Sequence, residues 1–266
     1  MSPYRCVFQM GMEKSLEYRA NFFLSLLSCI FQIIMQVFLW NYLYGNSDAQ
    51  AATGYTYGQI MVYTLLAAMV SKLVYTGFEW QVNDDIKNGG LNKYLVRPVE
   101  YMKYRFFAFL GEKMPQLSLL LAIAAAVIAF STLYLELALD MGRILLFLMS
   151  LVLGLVLNFL VFYCVALLSF WLTDVNLMFG TVSVVIVVIS GGIFPMDIFG
   201  EKFARAMSLL PFGYTTQFPA NIINGRYALS QLAIGFGCQI FWITALFLTG
   251  KAMWKRGLRR YAAVGG

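Results

Sequence analysis

The chain has 266 residues, of which 61% are hydrophobic, 17% aromatic and 12% charged, with a formal net charge of +6 at pH 7. A soluble domain is about a quarter charged, and no soluble fold of this length hides so much apolar surface. The composition describes an integral membrane protein and excludes disorder, collagen-like repeats and nucleic-acid binding as its main business.

Within residues 1–20, Tyr4, Phe8, Met12 and Leu16 recur every four positions, and Gln9, Glu13 and Glu17 form a second stripe. That pattern predicts an amphipathic helix along the cytoplasmic interface, with Lys14 and Arg19 available to headgroups. Such a helix either anchors the chain or transmits movement. The first long apolar run starts after about twenty mixed residues and lacks a small-residue cleavage site, so no secretory signal peptide is expected.

Six stretches free of Asp, Glu, Lys and Arg follow. They hold 28 residues between Arg19 and Asp48, 23 between Asp48 and Lys72, and 22 between Lys113 and Glu136. Another 30 lie between Arg143 and Asp174, 22 between Asp174 and Asp197, and 24 between Arg226 and Lys251. A helix needs about 20 mostly apolar residues to cross a bilayer, and backbone groups in lipid must be satisfied within the segment. Barrel strands would alternate polar and apolar residues, which Val182 to Ile189 do not. The expected fold is an all-α integral membrane protein with six transmembrane helices, near 22–44, 59–78, 106–130, 144–172, 177–194 and 229–254. It forms a single transmembrane domain over 1–266.

Orientation follows from Lys and Arg. With the N-terminus cytoplasmic, fourteen of them fall on the inner side and four (Arg143, Lys202, Arg205 and Arg226) on the outer, with Lys72 inside a span. The positive-inside rule puts both termini in the cytoplasm, and the basic tail at 251–266 can also hold anionic lipid. Cys6, Cys29, Cys164 and Cys238 are isolated and the chain has no His. Neither a zinc or redox pair nor His-based catalysis is expected, and no metal site. Lys72, Glu112 and Lys113 lie close enough to the cytoplasmic boundary to snorkel. Asn41, Asn158, Gln239, Ser183 and Ser190 are candidates for hydrogen bonds between helices.

Two connecting pieces are unusual. In the cytoplasmic stretch 79–105, residues 79–88 continue the second span into water, Gly89 and Gly90 stop the helix, and a short turn from Leu91 to Val96 ends at Pro98. Leu91, Tyr94 and Leu95 share one face of that turn. It suits a groove on another protein or, alternatively, an interfacial position among headgroups. In the outer piece, 191–227, Gly191 and Gly192 followed by Phe194 and Pro195 break the fifth helix. Two short helices are predicted beyond it, near 198–210 and 214–223, with Pro211 between them and Pro219 interrupting the second. Broken backbone at membrane depth must be buried in protein or line a wet cavity. The hairpin therefore caps a pathway, seals a subunit contact, or is a plain lid.

The segments "DIKNGGLNKYLVRPV", "SGGIFP" and "LLPFGYTTQFPANIINGR", in this order on a six-span chain, resemble permease subunits of bacterial type-2 ABC transporters over essentially the whole chain. The resemblance implies that 88–98 is the coupling helix docking on an ATPase, with Asn88, Leu91, Tyr94, Leu95, Arg97 and Pro98 at the contact. It implies that 1–20 is the connecting helix, and that Gly191, Gly192, Phe194, Pro195 and Pro211 belong to an extracellular re-entrant hairpin that closes the path. The implied partners are two P-loop ATPase subunits and a second permease, either another copy or a paired homologue, in a bacterial cell membrane. The chain has no G-x-x-x-x-G-K-[ST] loop, so ATP and Mg²⁺ are expected on the partner and no cofactor on this chain. The implied activity is export of a hydrophobic or amphipathic compound such as a drug, lipid or peptide. A nucleotide-independent carrier or channel would call for a titratable midplane residue, which is not found; a membrane scaffold is the other alternative.

Overall fold

The computed structural model describes residues 3–17, 19–46, 50, 53–134 and 141–261. The described part is helical, and four of its helices are long and apolar enough to cross a membrane. Asp48, Glu136 and the last five residues of the basic tail lie outside the described residues.

Helix α1 (Pro3–Glu17) and helix α2 (Arg19–Asn46) open the chain. The expectation for α1 was a helix with its apolar stripe against the interface, and the structure adds a protein contact that composition did not show. The helix packs along α6 (Tyr101–Tyr134). Gly11 and Gly111 meet at the crossing: a Cβ at Gly111 would lie 2.2 Å from the Phe8 carbonyl oxygen, and one at Gly11 2.6 Å from that of Ala108. Lys14 bonds Glu112 at 2.7 Å rather than standing free for headgroups. Tyr4 lies 5.4 Å from the Phe107 ring and accepts the Glu100 N–H. Leu16 remains exposed. Gly111→Val is expected to push α1 off α6 and lower stability by about 1–3 kcal/mol, as overpacking does; thermal denaturation in detergent, with protease access to the α1 segment, measures this.

Helix α3 (Tyr57–Val74) starts on a capping box in which Thr56 and Gln59 exchange bonds. It does not continue smoothly into water. Residues 75–77 interrupt it before α4 (Phe78–Lys87) begins. The break frees carbonyls at the end of α3, and Asn158 of α7 (Met141–Leu167) donates to the Val74 oxygen at 2.6 Å. Gly89 has φ +75 and ends α4 as the sequence suggested, and α5 (Asn92–Leu95) is one turn. Among the other polar candidates, Gln239 bridges helices by donating to Ser150 and to the Tyr214 carbonyl, and Asn41 accepts from Tyr57. Ser183 and Ser190 instead bond back within their own segment.

The fifth expected span is shorter than predicted. Helix α8 (Asn176–Ile189) has 14 residues, about 21 Å at 1.5 Å per residue, less than the ~30 Å hydrocarbon layer. It stops where Gly191 takes φ +81. Beyond it lie α9 (Glu201–Ser208), the turn Phe212–Tyr214 and α10 (Gln217–Ile223). Pro219 does not interrupt α10 but sits in its first turn, where a missing N–H is harmless. Every residue of α10 is buried, and it packs against α3 and α7. Helix α11 (Leu229–Leu258) lies along α7. The core is built chiefly from α3 and α7, with Phe78, Phe109, Phe159 and Tyr163 forming a chain of ring contacts that joins α7 to α4 and α6.

Candidate functional site

The turn between α4 and α6 is built around one buried carboxylate. Phe78, Val82, Asp85 and Ile86 occupy the buried face of α4, so Asp85 points where an apolar residue is expected. Its Oδ2 pairs with the Arg105 guanidinium and accepts the Tyr101 hydroxyl at 2.7 Å. Arg105 also donates to the Tyr101 oxygen at 3.0 Å and to the Gln81 side chain at 2.6 Å. Lys93 adds an outer contact to Oδ1 at 3.4 Å, which is exposed and contributes little. Burial pushes the Tyr101 phenol well up, opposed by Arg105 and reinforced by Asp85, so it stays a proton donor in this network.

This network joins three long elements to one short turn. Tyr101 stacks on Trp254 of α11, with ring centroids 4.8 Å apart and planes 8° apart. Phe170 touches both Trp254 and Tyr261, and the Tyr261 hydroxyl donates to Asn92 of α5 at 3.1 Å. The Leu91 N–H bonds the Asp85 carbonyl at 3.0 Å. The α5 turn is thus tied to α4, α6 and α11 through packed, hydrogen-bonded contacts.

The residues expected to share one docking face are divided by the structure. Leu91 is fully buried and belongs to the core. Tyr94 is half-buried against Tyr101 and Tyr104, at 5.0 and 4.8 Å, with Arg105 5.8 Å from its ring centroid. Leu95 is 48% exposed and Val96 82%. Asn88, Arg97 and Pro98 are also exposed. The surface that α5 offers is thus Leu95, Val96, Arg97 and Pro98, with Leu91 as the peg that fastens it from beneath.

At the other end of the bundle the Gly191–Pro195 break is clamped from three sides. Tyr63 of α3 donates to the Gly191 oxygen at 2.6 Å. Gln36 of α2 donates to the Ile193 oxygen at 2.7 Å, and Trp40 meets the Phe194 ring edge-on at 6.0 Å. The Gln217 N–H bonds the Ser190 oxygen at 3.0 Å, tying the end of α8 to the start of α10. Pro211 is buried just before the turn Phe212–Tyr214. Gly191→Ala would set a Cβ 2.5 Å from the Tyr63 hydroxyl at a φ of +81. We expect a loss of about 1–3 kcal/mol from the strained φ and the clash together, seen as a lower detergent melting temperature.

A family model described as "ABC-2 family transporter protein" matches residues 30–265. The chain belongs to the ABC-2 transporter family. The search of curated proteins returns no match. As an ABC-2 permease, the chain is the membrane component of an ABC transporter, a family whose permeases are generally non-catalytic and associate with an ATP-binding subunit. Sequence reasoning placed the turn of this permease but missed the Asp85–Arg105 pair beneath it. The available signal was the position of Asp85 on the apolar face of α4. No comparable signal showed that Arg105, twenty positions on, would face it.

Proposed function

We propose that this ABC-2 permease is the transmembrane subunit of an exporter in a bacterial cytoplasmic membrane. It crosses the membrane six times with both termini inside, and the segment 191–227 re-enters the bundle from outside as the gate. With a second permease, either a second copy or a paired homologue, it forms a path for a hydrophobic or amphipathic compound. ATP and Mg²⁺ are held by two separate P-loop subunits, and this chain binds no cofactor. Helix α1 serves as the connecting helix. The observation that carries the reading is α5: a one-turn apolar surface, Leu95 and Val96, on a base fixed by Asp85, Arg105 and Tyr101. Closure of the ATP-binding subunits presses on that surface, and the buried network passes the push to α4, α6 and α11. A contact that differs between nucleotide states is what such a ligand-driven shift requires.

The test is purification of the full chain in mild detergent after co-expression with a P-loop ATPase and a second permease from the same source. The expected result is a stable complex whose ATP turnover depends on this chain. Transport by this chain with no ATPase present would instead favour a carrier.

A further inference from the structure

We propose that the cavity between the outer hairpin and the first turns of α11 binds an organic ammonium group. The cavity has a volume of about 240 Å³, room for a compact ligand rather than a few waters alone. Tyr214, Phe218 and Tyr227 line it, and Asp197 and Gln217 line it beside them. The Phe218 ring lies 5.9 Å from Tyr214 at 63° and 5.4 Å from Tyr227 at 39°. Rings so inclined form an angled aromatic wall rather than a flat stack.

Charge decides the ligand class. Asp197 receives only neutral donors, the Tyr55 hydroxyl at 2.8 Å and the Gln217 amide at 3.3 Å. Among the described residues it joins no ion pair, and no Lys or Arg lines the cavity. The Arg226 guanidinium lies nearby but forms no ion pair with Asp197. It stacks on the Tyr55 ring 3.7 Å from the centroid and donates to the Gly54 oxygen at 2.5 Å. An anion is repelled by Asp197, and a neutral ligand leaves the carboxylate uncompensated. A bare divalent cation calls for several oxygen ligands, usually more than one carboxylate, and Asp197 is the one carboxylate among the described residues lining this cavity. An alkylated ammonium matches both parts: its positive charge faces the carboxylate, and its C–H shell rests on the π faces. Such a group is supplied either by a phospholipid headgroup or by a soluble organic cation.

The inference concerns binding by this chain alone and needs neither nucleotide nor ATPase, so its failure leaves the exporter reading standing. The test titrates the purified full chain, in a neutral maltoside detergent, with choline and with its uncharged isostere 3,3-dimethyl-1-butanol by calorimetry. Choline is expected to bind at least tenfold more tightly, a comparison that needs no substitution. Asp197→Asn retains an acceptor for Tyr55 and is expected to weaken choline binding tenfold or more. Phe218→Leu is expected to weaken it about threefold. Displacement of choline by dihexanoylphosphatidylcholine, but not by dihexanoylphosphatidylglycerol, supports a lipid headgroup as the natural occupant; displacement by neither supports a soluble ammonium. Absence of choline binding, equal binding of choline and its isostere, or unchanged affinity in Asp197→Asn overturns the proposal.

Discussion

Asp85→Ala is expected to destabilise the protein by about 3–5 kcal/mol, because it leaves a buried guanidinium without its counter-charge. The Arg105 side chain is 7% exposed and that of Asp85 5%, so water cannot compensate the loss. Gln81 still receives two of the Arg105 hydrogen bonds, but its oxygens are neutral. The pair as a whole is a weaker contributor than its parts suggest, since burying two ions costs several kcal/mol each. The double change Asp85→Leu with Arg105→Met is therefore expected to recover most of the lost stability. Thermal denaturation in detergent separates the cases. If Asp85→Ala melted like the native chain, the clamp under α5 would not be holding it. The double variant also separates folding from transmission: it keeps the fold but loses the directional ties among Asp85, Tyr101 and Arg105. ATP turnover by a docked partner is then expected to fall while the partner still binds.

The second large effect concerns the exposed side of the same turn. Leu95→Asp combined with Val96→Asp is expected to cut association with the ATP-binding subunit at least tenfold. In the proposed docking two carboxylates would have to be desolvated where two apolar side chains would enter a groove, and truncations or charges at the centre of an interface act far more strongly than at its rim. Stability should change little, within about 0.5 kcal/mol, because both side chains face outward and support no buried contact. Co-purification of the ATPase is the readout for association, and the melting temperature is the readout for the fold. Leu91→Asp is the informative contrast. It places a charge in the core, so it is expected to lower the melting temperature, where the two exposed substitutions do not.

Four of the six expected spans, the helices long and apolar enough to cross a membrane, were legible from the spacing of charges, because a membrane-spanning helix must exclude charge along its length and that rule acts over twenty residues at a time. The ends were not. The interruption at 75–77 rests on Asn158 reaching the Val74 carbonyl from a distant helix, and nothing near 75–77 records that partner. The stop of α8 was marked by Gly191 and Gly192, but its distant partners Tyr63 and Gln217, which receive Gly191, were not. Nothing in the sequence around Gly11 marks it as a crossing point, because Gly111, which faces it, lies a hundred positions on. At the α5 turn the local pattern fixed that Leu91, Tyr94 and Leu95 are neighbours, but not which side faced the core. Helical spacing of three apolar residues is the same for a docking face and for a buried one, and only the burial of Leu91 in the core separates them. The polar lining of the outer cavity was invisible for the same reason, since Asp197, Tyr214 and Tyr227 come from separate segments of the hairpin.

The central claim is that the ATP-binding subunit touches this permease at α5. Photo-crosslinking from that turn tests it most directly, with p-benzoylphenylalanine in place of Val96 in the full chain co-expressed with its ATP-binding subunit. The account predicts an adduct with that subunit from position 96, and none when the same residue replaces Leu209, which is 74% exposed on the hairpin. An assembled complex that gives no adduct from position 96, or that gives one equally from position 209, would contradict it.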